Sequence, residues 1–248
     1  MTAGILKEEK PGPGGPGGME GEKGNPQKSR IKGITSSFIF TAVIGLLLFV
    51  PAGTLDWPMA WVLLGIYLVT SVIHILVVSP GLIEERTRRH EDSKTWDRYL
   101  VIVLILSGFL IMIATGLDHR FVWTEPLTFP VVVISLVLVI LGSALVTWAT
   151  AANRFFSATI RIQGDRGHSV VSDGPYRYVR HPGYAGWILY YIFLPLMLGS
   201  VYALIPAGIA VGLLIVRTYL EDTTLQAELE GYREYAGRVR NRLVPGVW

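Results

Sequence analysis

Residues 177–187 read RYVRHPGYAGW, with two arginines, a histidine, two tyrosines and two glycines set at the head of an apolar stretch that runs to Tyr219. Each residue type suits one part of a cavity for a charged cofactor. Gly183 and Gly186 lack a side chain and let backbone approach a ligand closely. Tyr184, like Tyr176 just upstream, can stack on a planar base. Some thirty residues on, the chain reads RTYLED, and Arg217 and Glu221 are four apart, so on a helix they share one face. Asp222 follows directly, and such a carboxylate pair can hold ribose hydroxyls or an ammonium. Ionisable groups at membrane depth are costly unless paired or functional, which marks Arg217 as a site candidate. The plainer readings are an interfacial ion pair with Arg217 snorkelling, and a histidine at 181 that caps the helix hairpin.

These residues must be positioned by membrane helices. Half of the 248 residues are apolar, and they fall into long runs broken by short charged segments. Four runs suffice to cross roughly 30 Å of hydrocarbon: Ile34 to Val50, Trp57 to Ser79, Tyr99 to Leu117 and Leu127 to Ala152. Each is predicted to be an α-helix, because lipid offers no partner to exposed backbone groups. The run from Tyr184 to Tyr219 is too long for one span and contains Pro195, Gly199, Ser200 and Pro206. It is predicted to form two shorter helices folded into a hairpin near Gly199. Pro182 suits the first turn of the helix after His181, placing the polar groups at a helix N-terminus. The fold class is thus an all-α polytopic membrane bundle, four spans plus a C-terminal hairpin, in three regions: a tail (1–33), the spans (34–152) and a cofactor-binding region (153–248).

All Lys and Arg except Arg120 lie in the tail before residue 34, in 80–98, in 153–182 or from Arg217 onward. The positive-inside rule places these segments and both termini in the cytoplasm, with the site facing the same side. The arginines border spans rather than forming a continuous basic face, so nucleic acid is not an expected partner. The lipid bilayer is. The first thirty or so residues, including PGPGGPGG, have almost no hydrophobic content and are expected to be disordered. No cleavable signal is expected, because the first apolar run is itself span-length.

Residues 79–98, SPGLIEERTRRHEDSKTWDR, are predicted to be a solvated connection with an interfacial helix, Trp96 sitting at the headgroup boundary. The stretch from Asn153 to Pro182 is long for a connection and rich in aromatic and β-branched residues. It is predicted to be an ordered loop feeding the site, with ATIRIQ and HSVV as short extended segments. There is no cysteine, and no histidine pair has metal-ligand spacing, so no metal is expected.

With these residues identified, the chain resembles the isoprenylcysteine carboxyl methyltransferase family, related to the membrane phospholipid methyltransferases. The resemblance rests on GHSVVSDGPYRYVRHPGYAG, RTYLED and GYREYAGRVRNRLVPGVW, with PGLIEERTRR and WDR upstream. It implies a helical membrane enzyme whose C-terminal half wraps S-adenosyl-L-methionine on the cytoplasmic side and methylates a hydrophobic acceptor reaching it from the bilayer. It further implies that His181, Tyr184 and Gly186 belong to a cofactor motif, with Tyr176, Arg180 and His168 on its approach. Glu221 and Asp222 match an acidic cofactor-binding pair, usually two glutamates, and Arg217 falls near the acceptor. Arg217 and Glu221 are the catalytic candidates: Arg217 would orient a carboxylate, and Glu221 would take a proton from an amine. Phospholipid N-methylation and an NADPH-dependent reduction like that of the membrane sterol reductases are the alternatives.

Overall fold

The computed structural model describes residues 26–87 and 94–248. Within them lie eight α-helices: α1 (Pro26–Ala52), α2 (Pro58–Val77), α3 (Pro80–Thr87), α4 (Thr95–Phe121), α5 (Phe129–Ala152), α6 (Pro182–Met197), α7 (Leu204–Glu228) and α8 (Tyr232–Arg238). Two short 3-10 turns, Gly164–Arg166 and Gly174–Arg177, punctuate the segment between α5 and α6. Five helices, α1, α2, α4, α5 and α7, are long and apolar enough to cross a membrane. Large apolar side chains such as Leu46, Val69, Leu106, Ile134 and Ile209 are exposed on their outer faces, as lipid contact requires. The chain is a multi-pass membrane protein.

The helices close a ring in which α1 packs on α2 and α4, α4 on α7, α7 on α6, α6 on α5 and α5 on α2. A core of Leu48, Leu63, Ile111, Val139, Leu194 and Met197, each nearly inaccessible, fills its middle. Glycine sets the closest helix approach. A Cβ on Gly142 of α5 would sit 2.7 Å from the Gly186 carbonyl oxygen of α6, and a Cβ on Gly186 would sit 2.7 Å from the Gly142 carbonyl oxygen. Small residues at facing positions are what let backbones pack this tightly in a bilayer.

Three sequence expectations change here. The hairpin forms, turning at Gly199 with φ +86° while the Ser200 amide donates to the Pro195 carbonyl at 2.8 Å. Its second arm, α7, has 25 residues and is itself long and apolar enough to cross a membrane, a fifth candidate span beside the four expected. Pro206 falls in its first turn, where a missing N–H breaks no helical hydrogen bond, so the helix continues. Second, α1 begins at Pro26, so residues 26–33 of the expected disordered tail are helical. Helix propagates readily from an established span, and proline is tolerated at its first position. The remainder of the tail, with PGPGGPGG, lies outside the described residues, as do 88–93 of the 79–98 connection. Third, ATIRIQ and HSVV form no strand among the described residues. The Lys94 amide donates to the Ile160 carbonyl at 3.1 Å, but side chains rather than a ladder hold the segment, Gln163 Nε2 donating to the Phe155 carbonyl at 2.8 Å.

Gly142→Ala is expected to cost about 1–3 kcal/mol through forced separation of α5 and α6. The thermal midpoint in detergent should fall, whereas Gly208→Ala on α7, where an added Cβ meets nothing within 4 Å, should leave it unchanged.

Candidate functional site

Two buried aspartates organise the end of the bundle where α4, α6 and α7 meet the 153–181 segment. The first is Asp222 on α7, fully inaccessible to solvent. Arg180 grips it with a fork, Nε to Oδ1 at 2.7 Å and Nη2 to Oδ2 at 2.9 Å. Arg242 Nε and Gln226 Nε2 donate to Oδ2 at 2.9 and 2.8 Å, and the Tyr232 hydroxyl donates to Oδ1 at 3.1 Å. His181 Nε2 lies 3.2 Å from Oδ1. Arg180 also donates through Nη1 to the carbonyls of Val239 and Arg240, at 2.7 and 2.8 Å. The amides of Arg180 and His181 donate to the carbonyls of Asn241 and Arg242. The C-terminal segment after α8 is thereby bound to the head of α6. Burial, then the neighbouring Asp222 carboxylate, pushes the Tyr232 phenol well above its usual range, keeping it a neutral donor.

The second is Asp97, two residues into α4 and likewise inaccessible. Arg217 Nε donates to its Oδ1 at 2.7 Å and Nη2 to Oδ2 at 3.1 Å, while the Ile160 amide donates to Oδ2 at 2.7 Å. Arg217 Nη2 also donates to the Ala158 carbonyl at 2.9 Å, and the guanidinium lies 5.4 Å from the centre of the Tyr184 ring. Charge-assisted contacts of this kind are strong enough to offset burial only when nearly every donor is met. Here the pair ties α4, α7 and the loop together.

Between the two aspartates lies a cavity of about 270 Å³. His168, Tyr176, Arg180, His181, Tyr184, Arg217 and Glu221 all line it, so seven of the sequence-derived candidates come together. The His181 and Tyr184 rings stack, with centroids 5.8 Å apart and planes 17° from parallel. Gly183 faces the Phe156 ring closely enough that a Cβ would stand 2.7 Å away, so the wall there has no room for a side chain. Glu221 is half-buried and accepts the Tyr184 hydroxyl on Oε2; Oε1 has no protein donor among the described residues. The Tyr176 hydroxyl donates to the Ala149 carbonyl at 3.3 Å, and burial raises its pKa. His168 Nδ1 accepts the Gln163 amide at 3.3 Å. Burial, then Arg161 and Arg166, pulls the His168 pKa down to about 4, so its imidazole is neutral at physiological pH.

Two candidates lie elsewhere. Asp222 does not line the cavity: its carboxylate is taken up by protein donors, and it reaches the cavity only through Arg180, His181 and Tyr232. Gly186 faces α5, and its missing side chain serves helix packing. The bidentate edge of Arg217 expected for an acceptor is occupied by Asp97, which leaves Nη1. Asp97 itself, within the quoted WDR, was the missed partner. An acidic residue in the first turn of an apolar span was the available signal, since such a charge needs a buried counterion.

Asp222→Ala would leave the Arg180 and Arg242 guanidiniums uncompensated and is expected to destabilise the fold by about 3–5 kcal/mol. Glu221→Ala, which breaks one contact at a half-open carboxylate, should melt close to the unaltered protein in the same detergent. His168 adds a smaller pH effect. With its pKa lowered to about 4 from 6.5, the unfolded chain binds more protons between those values, so stability falls as pH drops through that window. His168→Gln should flatten that part of the melting-temperature profile.

Comparison with known proteins bears on the same stretch of chain. Residues 133–227 match the profile of the isoprenylcysteine carboxyl methyltransferase (ICMT) family. Two rice proteins, from Oryza sativa subsp. indica and subsp. japonica, each named "Probable protein-S-isoprenylcysteine O-methyltransferase", are 36% identical to it over 83 residues. The alignment covers 30% of this chain and 44% of each rice protein, so the chain spans less than half the length of these curated relatives. The matched stretch holds α6, nearly all of α7 and every cavity-lining candidate named above. From residue 133 to 227, this chain is similar to the isoprenylcysteine carboxyl methyltransferase family.

Proposed function

We propose that the protein is a membrane-embedded methyltransferase that uses S-adenosyl-L-methionine to methylate the carboxylate of a lipid-like, isoprenylcysteine-type acceptor. One observation carries the reading: a family-matched cavity brings the half-open Glu221 carboxylate, the stacked His181 and Tyr184 rings and the tight Gly183 wall together. A carboxylate short of donors suits hydroxyls or an ammonium, and flat aromatic faces suit a purine. The residues therefore fit a nucleoside carrying an amino-acid end, and the volume is close to the lower end of ligand pockets, roughly 300 Å³.

The bound donor supplies a methyl group on a positively charged sulfur. Glu221 holds the donor's polar groups, with Tyr184 fixing the orientation of its carboxylate. Arg180 and Asp222 are positioning residues: they set His181 and the backbone at the head of α6. Arg217, clamped by Asp97, presents Nη1 and its positive charge to the cavity. A carboxylate acceptor is ionised at neutral pH and needs orientation and exclusion of water rather than a base. Val101, Leu104 and Ile105 of α4 supply an apolar wall beside the polar groups, suited to a hydrocarbon chain reaching in from the bilayer. The concentration of Lys and Arg supports a cytoplasmic site with both termini on that side.

Calorimetry on the detergent-solubilised protein should show S-adenosyl-L-methionine binding and no NADPH binding. Glu221→Ala should weaken that binding about tenfold or more while the fold survives. Protein that binds no S-adenosyl-L-methionine overturns the reading. With radiolabelled donor and native lipid extract, the product label should be released as methanol by mild base, as from a methyl ester. A base-stable label would mean N-methylation.

A further inference from the structure

Four arginines line the cavity: Arg86, Arg161, Arg180 and Arg217. Three have carboxylate partners: Arg161 pairs with Glu85 and Asp165, Arg180 with Asp222 and Arg217 with Asp97. Arg86 differs. Its Nη1 is buried and meets no acceptor among the described residues. Its guanidinium lies 5.3 Å from the centre of the Phe156 ring, the ring that also packs against Gly183. Burial, and then the positive charge of Arg217, lowers its pKa. A guanidinium whose buried N–H meets no acceptor among the described residues, with a second positive charge nearby, favours an anion beside it.

Its placement is not accidental to the packing. The preceding residue, Glu85, accepts Arg161 Nη2 at 2.7 Å and Nε at 3.2 Å, with both side chains nearly inaccessible. That pair seats α3 on the 153–181 segment and carries Arg86 to the cavity wall. The apolar wall of Val101, Leu104 and Ile105 belongs to the same cavity. An anionic head with a hydrocarbon tail therefore matches the site better than a small free anion.

We propose that Arg86 is the acceptor-binding residue that receives the carboxylate to be methylated, with Arg217 Nη1 as the second positive group beside it. This rests on the methyltransferase reading and assigns to Arg86 the recognition that the sequence pattern had suggested for Arg217. A planar guanidinium donates two parallel N–H bonds to a carboxylate, holding both oxygens in one plane while the apolar wall takes the chain. The amino-acid carboxylate of the donor has the same chemistry, and the experiment separates the two sources.

The probes are N-acetyl-S-farnesyl-L-cysteine, its carboxamide and S-adenosylhomocysteine, each titrated directly into the full-length protein in detergent. Wild type is expected to bind the acid more tightly than the carboxamide. Arg86→Gln should weaken the acid about 10- to 100-fold, leave the carboxamide unchanged and leave S-adenosylhomocysteine unchanged. Arg86→Lys should recover part of the loss and, because it keeps the charge, provides the comparison if Arg86→Gln does not fold. Three results overturn the proposal: no discrimination between acid and carboxamide by wild type, equal loss of both in the variants, or a loss confined to S-adenosylhomocysteine, which would assign Arg86 to the donor. Acceptor binding is read without donor, so failure of wild type to bind S-adenosylhomocysteine counts against the methyltransferase reading alone.

Discussion

The site depends on one buried carboxylate. Asp222 sits in α7 with no solvent contact and accepts from two arginines, a glutamine and a tyrosine, with a histidine in reach. Each donor comes from a different place: the loop before α6, the same helix one turn on, α8 and the C-terminal segment. A lone carboxylate there would be prohibitively costly; a saturated one becomes a fixed point to which four pieces of chain are bound. The head of α6, with His181 and Tyr184, therefore has a defined position relative to Glu221 on α7. Loss of this anchor would release Arg180, His181 and Tyr232, which themselves line the cavity.

Asp97 repeats the arrangement across the cavity. It joins the start of α4 to Arg217 and to the Ile160 amide, and Glu85 with Arg161 does the same for α3. These buried pairs give little net stability compared with apolar packing of equal volume, but they discriminate sharply against misplacement, because any displaced partner leaves a bare charge. A membrane protein has a special use for them. Its helices gain no hydrophobic drive from associating within lipid, so glycine contacts bring α5 and α6 together while ion pairs at the bundle end fix α4 and α7 against the loop and the head of α6.

Saturation also separates support from function. Asp222, Asp97, Arg180 and Arg161 have their demands met by protein. Glu221 and Arg86 each retain a group with no protein partner among the described residues, one negative and one positive, in the same cavity. A donor with hydroxyls and an ammonium and an acceptor with a carboxylate complement that division of charge. The apolar side of α4 would take the tail of the proposed acceptor.

Much of this was legible from local pattern. Span positions follow from apolar run length, the hairpin from Pro195 and Gly199, and the polar cluster from charges that an apolar chain would otherwise avoid. Arg217, Glu221, His181 and Tyr184 meet in the structure because helical periodicity and a tight turn put them on facing surfaces. Sequence by itself determined the spans, the turn and which residue types gather at the bundle end. Only the tertiary structure decided what each charge does. The partner of Arg217 is 120 residues away in Asp97, that of Arg180 is 42 away in Asp222, and Arg86 has no protein acceptor among the described residues. Ion pairing depends on distances of a few ångströms between helices, and neither spacing along the chain nor periodicity carries that information.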